Sequence, residues 1–263
     1  MIDIHLILLP LFGLIIGLLV SMFGGGGGGF FAPVLILFFG VTPQVAVAAS
    51  LASVLPTSVV STFSHFRQGN VDFRTGLILG IGGIIGTLIG AAVANIIPPT
   101  LLQRILGIFT LIMLIPMLRS LIQRHRKLKE KNDDKKETLT LTGSKRIIAS
   151  FFGVASGLLA GIFGISGTPP IVAGLYSLGL PAAMVVGTSV FVLIFNSIAG
   201  IGGFYLLGRL DLTLIILLGG GAAVGAFIGP LLLKKINPKT FEKIYGPVII
   251  GIMVIFGLGL ILA

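Results

Sequence analysis

Two glycine-rich stretches are the first features of the sequence that could bind a ligand. One is a run of six glycines, 24–29, inside an apolar segment, and the other is the shorter GISGTPP at 164–170. Glycine is unfavourable inside a helix, so both stretches predict a break between helices. The unpaired N–H groups at the start of the next helix carry partial positive charge and favour an anion.

The sequence therefore predicts an anion site made of two helix starts and a few neutral side chains. Hydroxyls recur at helical spacing in the segments that follow each break, and they would orient the anion. An alternative stays open: the glycines let helices cross closely, and the hydroxyls bond to their own backbone or join helices. The candidate residues are Gly25, Gly26, Gly27, Gly28, Gly29, Phe30, Ser50, Thr57, Ser166, Gly167, Thr168, Ser189 and Asn196.

Several other chemistries lack the residues they need. The chain has no cysteine, and its three histidines, His5, His65 and His125, have no neighbouring ligand at coordinating spacing. Neither glycine run follows a predicted strand or precedes the Lys-Ser/Thr of a phosphate-binding loop. We therefore expect no enzyme, metal or cofactor. Carboxylates are absent from the predicted spans except near their ends, which leaves proton or sodium coupling without an obvious carrier.

Composition places these residues in a membrane. Of the 263 residues, 55% are hydrophobic and only 10% charged, with a mean hydropathy of +1.14. These are too few polar residues to cover the surface of a soluble domain, so a polytopic integral membrane protein is expected. Ten of the 18 Lys and Arg residues lie in the segment 119–146. We interpret it as a charged linker, cytoplasmic by the positive-inside rule, rather than as a nucleic-acid contact. A regulatory or lipid-binding arm is the alternative.

The two hydrophobic blocks are copies of each other. Residues 25–107 match the residues 139 positions later without a gap, including serines, aspartates and prolines as well as glycines. Such an internal duplication is typical of secondary transporters. The matched small-residue stripes at 82–90 and 221–229 predict close helix packing. Representative matched pairs are Gly25 and Gly164, Ser50 and Ser189, Asp72 and Asp211, and Pro99 and Pro238.

We predict an all-α fold of two homologous halves, each with a broken or re-entrant glycine-rich helix pair followed by three spanning helices. The halves are 1–118 and 147–263. The second helix of each pair, at 30–39 or 169–178, is too short to cross the ~30 Å hydrocarbon core. One loop is more basic in the first half than its equivalent in the second, and another loop is more basic in the second half than its equivalent in the first. This difference favours an inverted-topology repeat, in which equivalent loops lie on opposite sides of the membrane. If one segment were assigned a different number of membrane crossings, the same pattern would describe a parallel repeat.

The ordered motifs resemble a known family. GGGGGFFAPVLIL, GVTPQVAVAASL and HFRQGNVDFR, repeated more loosely as GISGTPPIVAGL, GLPAAMVVGTSV and LLGRLDL, are similar to those of the TauE/SafE sulfite exporters and related anion permeases. The resemblance covers nearly all of both halves. It implies a multi-pass transporter of the bacterial or archaeal inner membrane that moves sulfite, sulfoacetate or other sulfur-containing or organic anions.

The leading functional hypothesis is a secondary transporter of a small sulfur-containing anion such as sulfite across the cytoplasmic membrane. Its expected partners are the anion and membrane lipid, with no nucleic acid, and homo-oligomerisation is left open. An anion channel on the same scaffold would differ in its kinetics. A non-transporting assembly factor would use the linker as a docking arm.

Overall fold

The computed structural model of the chain describes residues 4–21, 28–115, 143–165, 167–233 and 238–263. Every regular element in these ranges is an α-helix, and the same five-helix series occurs in both halves, as the duplication predicts. The first half contains α1 (Ile4–Ser21), α2 (Gly28–Phe39), α3 (Pro43–Arg67), α4 (Phe73–Ile96) and α5 (Pro99–Ile112). The second contains α6 (Gly143–Phe163), α7 (Thr168–Ser177), α8 (Ala182–Leu206), α9 (Leu212–Leu233) and α10 (Pro238–Leu262).

The helix lengths confirm the polytopic membrane fold. Within the described residues, four helices are long and apolar enough to cross a membrane: α3, α4, α8 and the first 18 residues of α9. The short helices α2 and α7 have 12 and 10 residues, or about 18 and 15 Å of helix, so neither crosses alone. Most of the charged linker 119–146 lies outside the described ranges, which leave out residues 116–142.

The repeated aspartates begin the same helix in each half. Asp72 accepts hydrogen bonds from the backbone of Arg74 and Thr75 at 3.0 and 3.2 Å. Asp211 accepts them from Thr213 at 2.9 Å and from Leu214 at 3.1 Å. Each carboxylate caps N–H groups that have no partner within the helix. The matched aspartates are thus explained by local structure.

The halves interlock through two glycine-lined helix pairs. α4 packs against α6, and α1 packs against α9. A Cβ on Gly82, Gly86 or Gly90 would overlap or crowd the backbone of α6, while one on Gly221 or Gly225 would overlap that of α1. Close packing by the small-residue stripes is therefore confirmed. Successive contacts advance in the same direction along both members of a pair, so α4 runs parallel to α6 and α1 to α9.

The third helices of the two halves, α3 and α8, meet at the centre in opposite directions. Leu51 near the start of α3 contacts Gly200 near the end of α8, and His65 near the end of α3 lies beside Gly187 near the start of α8. The fifth helices behave likewise, because Gly107 of α5 contacts Ile261 of α10, whereas Leu111, further along α5, contacts Gly257. Both central helices bury hydroxyls as well as apolar residues.

Candidate functional site

The best-described helix break joins α6 to α7. Gly164 donates its backbone N–H to Ala160 at 2.8 Å, and Gly164 and Gly167 both have left-handed backbone, at φ +67° and +65°. Gly167 is the N-cap of α7, and the prolines that follow occupy the first turn, where a missing N–H removes no helical hydrogen bond. Ser166, between the two glycines, lies outside the described residues.

Two buried serines close around this break. Ser50 of α3 donates its hydroxyl to the carbonyl oxygen of Gly164 at 2.8 Å. Ser156 of α6 lies against Gly167, and a Cβ at Gly167 would overlap both the carbonyl oxygen and the hydroxyl of Ser156. The left-handed backbone and the close approach both require glycine at this position. The start of α7 is therefore tightly enclosed on one side.

Asn196 extends this polar contact into the next helix. Its amide Nδ2 donates to the Ser156 hydroxyl at 3.0 Å, and its Oδ1 lies against the Cα of Gly83 in α4. Asn196 and Ser156 are both fully buried. Three helices, α4, α6 and α8, thus meet around one side-chain hydrogen bond next to the second break.

The first break is described only from its helical end. Gly25, Gly26 and Gly27 lie outside the described residues, whereas Gly28, Gly29 and Phe30 form the first turn of α2. A Cβ at Gly29 would be 3.8 Å from Cγ2 of Ile165, so the start of α2 comes close to the second break. Phe30 packs its ring 6.4 Å from that of Phe256, which places this side chain against α10.

Two of the candidate hydroxyls bond within their own helices. Thr57 donates to the Val54 carbonyl and Ser189 to the Val186 carbonyl, both at 2.8 Å. This geometry matches the alternative interpretation of these two residues. Thr168 begins α7, directly after Gly167.

The structure adds one polar residue that the sequence did not single out, Ser156, because no hydroxyl occupies its equivalent in the first half. Thr188, one of the hydroxyls in the helix that follows the second break, accepts a hydrogen bond from the backbone N–H of Asp72 at 2.9 Å. The hydroxyls of Ser53 and Ser197, on α3 and α8, are fully buried and have no hydrogen-bond partner among the described residues.

The electrostatic character of this region comes from neutral groups. Among the residues whose side chains the structure describes, no Asp, Glu, Lys or Arg is classed as buried, whereas 13 neutral polar residues are. The described ranges also hold no group of three or more His, Asp or Glu side chains close enough to share a metal ion. Hydroxyls and side-chain amides are therefore the buried polar side chains of the described residues.

Comparison with known proteins identifies the family. The model of the sulfite exporter TauE/SafE family matches residues 9–256, and the chain belongs to this family. It is similar to the probable membrane transporter protein YdhB of Bacillus subtilis, at 32% identity over 95% of this chain and all of that protein. It is also 30% identical to YunE of B. subtilis, over 93% of this chain and 94% of that protein.

An archaeal relative extends the comparison. A probable membrane transporter protein of Methanocaldococcus jannaschii is 30% identical over 95% of this chain and 96% of its own length. No solved structure matches the chain. The family and these relatives indicate that the protein is a membrane transporter rather than an enzyme.

Proposed function

We propose that the protein is a secondary transporter of a small sulfur-containing anion such as sulfite, bound between the starts of α2 and α7. The observation that carries the proposal is the approach of the two breaks, with Gly29 beside Ile165. Each helix start contributes about half a positive elementary charge. Two converging starts would offset part of one negative charge without any buried cation, and at α7 the donors are those that precede Pro169 and Pro170, which have no N–H.

The buried hydroxyls support a polar pathway beside this site. An unsatisfied buried polar group costs about 1–3 kcal/mol, so the unpaired hydroxyls of Ser53 and Ser197 are expensive in a closed core. Water or an anion beside these helices would satisfy them. Ser50, Thr57, Ser189 and Asn196 lie on the same two helices, and rotation of a hydroxyl away from its carbonyl would present a donor to the anion.

We also propose an inverted-topology repeat with the linker 119–146 in the cytoplasm, between transmembrane repeats 1–118 and 147–263. The antiparallel course of the equivalent helices α3 and α8 supports inversion. α4 and α6 run parallel, so the loop before α4 lies on the same side as the end of the linker. Arg67 and Arg74 near that loop fit a cytoplasmic side of a cell inner membrane.

Uptake by proteoliposomes tests the substrate and the coupling together. Purified protein is reconstituted and offered labelled sulfite, thiosulfate, sulfate or a sulfonate, with and without a pH gradient. We expect saturable uptake of at least one sulfur oxyanion, competed by the unlabelled anion. Flux that neither saturates nor exchanges would indicate the channel alternative, and absence of flux for all four anions would contradict the proposal.

A further inference from the structure

The Asn196–Ser156 hydrogen bond has no polar counterpart in the first half. Asn196 matches Thr57, whose hydroxyl donates to its own helix. Gly13 and Gly17 of α1 contact α9 at Leu218 and Ala222, just as Gly153 and Gly157 of α6 contact α4 at Leu79 and Gly83. These matched contacts align α1 with α6 at a spacing of 140 residues. Ser156 is therefore equivalent to the apolar residue Ile16.

The pair acts on the break through packing. The carbonyl oxygen and hydroxyl of Ser156 fill the space in which a Gly167 side chain would stand, and Asn196 Nδ2 fixes the hydroxyl at 3.0 Å. Gly167 in turn precedes the first turn of α7. Pro169 and Pro170 have no N–H, so movement of Ser156 would act on the backbone N–H groups that precede these prolines.

We propose that Asn196 and Ser156 are positioning residues that hold the start of α7 in its anion-binding geometry, so that the second half makes the more rigid part of the site. This inference rests on the proposed transport function. It predicts that loss of either side chain lowers the affinity for the anion more than it lowers the turnover, because the site is formed less often.

Uptake kinetics of Asn196→Ala, Ser156→Ala and the double variant test the pair, with Thr110→Ala as the control, because the buried Thr110 hydroxyl donates to Leu106 within its own helix. We expect KM for sulfite to rise several-fold in each single variant and no further in the double variant, since all three lose the same Asn196–Ser156 hydrogen bond. Thr110→Ala should leave KM near the wild-type value. An unchanged KM in Ser156→Ala, or additive effects, would overturn the inference. Wild-type protein without saturable uptake would instead refute the proposed function.

A second, independent observation concerns which helices move together. The glycine-lined contacts join α1 to α9 and α4 to α6, and the backbones in these pairs touch with no side chain between them. α3 packs on α9, and α8 packs on α4. α3 also packs on α8, but the repeat exchanges these two helices, so a division into two equivalent bodies separates them. One body is formed by α1, α3 and α9 and the other by α4, α6 and α8.

The repeat exchanges these two bodies, because α1, α3 and α9 are equivalent to α6, α8 and α4. Each body draws helices from both halves of the sequence. The bodies meet mainly where α3 crosses α8, and Leu51 contacts Gly200 through a side chain there. The hydrogen bond from Ser50 to Gly164 crosses the same boundary at the second break.

We infer that transport moves these mixed bodies against each other across the α3–α8 contact, while the glycine-lined pairs stay together. Motion at this boundary would open and close the second break, because α3 and the α6–α7 break belong to opposite bodies. The sequence halves are then units of duplication, and the mechanical units are the mixed bodies.

Disulfide cross-linking tests the boundary cleanly because the chain has no cysteine. The Cβ of Leu51 is 3.6 Å from the Cβ position of Gly200, within the range of a disulfide. A control pair lies inside one body: Ala91 of α4 with Gly203 of α8, at 3.4 Å. Each pair is replaced by cysteines, oxidised in proteoliposomes and then reduced.

We expect the oxidised Leu51→Cys/Gly200→Cys protein to lose at least tenfold in sulfite uptake and to recover on reduction. The control pair should cross-link with little loss of uptake. Full uptake by the cross-linked boundary pair, or its failure to cross-link, would overturn the inference. Loss of uptake that reduction does not restore would also overturn it, and inactive wild-type protein would refute the transport function.

Discussion

Replacing Gly167 with alanine should lower the free energy of unfolding more than the same replacement at a left-handed glycine that lies in open space. Gly167 and Gly179 both have positive φ, +65° and +87°, so each substitution carries a backbone penalty of about 1–2 kcal/mol. Only at Gly167 would the new Cβ overlap a buried carbonyl, that of Ser156, since Gly179 has nothing within 4 Å. Overpacking of this kind adds roughly 1–3 kcal/mol.

The expected total is therefore about 2–5 kcal/mol for Gly167→Ala and about 1–2 kcal/mol for Gly179→Ala. Thermal unfolding of the purified variants and sulfite uptake at equal reconstituted amounts would measure the difference. Gly167→Ala should unfold at the lower temperature and lose most uptake, whereas Gly179→Ala should retain it. Equal stability and equal uptake in the two variants would refute the assigned geometry of the break.

Two further substitutions test the glycines by size and by position. The new Cβ of Gly29→Ala would lie 3.8 Å from Cγ2 of Ile165, so this variant should keep its uptake. Gly29→Leu should fill the gap between the breaks and abolish uptake although the protein is folded. Wild-type flux in the leucine variant would contradict an anion site between the breaks. Gly86→Ala should strongly destabilise the protein because its Cβ would overlap the α6 backbone, while Gly220→Ala, in open space, should be neutral in the same unfolding measurement; equal effects would contradict the α4–α6 packing.

Much of the fold could be predicted from the sequence because length and hydropathy identify membrane helices. The ten helices of the described ranges lie close to the predicted segments, and the 139-residue repeat gave their equivalence. The stripes at 82–90 and 221–229 also predicted close packing. The stripes did not predict which helices they pack against, because glycine permits the close approach of any helix.

The site was harder to predict for a related reason. Ser156 has the apolar Ile16 as its equivalent, so a search for matched polar residues passes over it. Thr57 and Ser189 each have a polar equivalent in the other half of the repeat, yet their hydroxyls donate to carbonyls of their own helices. Sequence spacing places a hydroxyl on a helix, while the choice between its own carbonyl and a neighbour depends on packing that only the structure provides. The anion-binding role of the candidate residues remains a prediction.

Counterflow is the measurement that tests the central claim most directly. Proteoliposomes loaded with unlabelled sulfite are diluted into a trace of labelled sulfite, and the label inside is followed over time. A transporter that binds sulfite between its two helix breaks should accumulate label transiently above equilibrium, and Gly29→Leu should not. Absence of accumulation by wild-type protein, or equal accumulation by Gly29→Leu, would contradict the account.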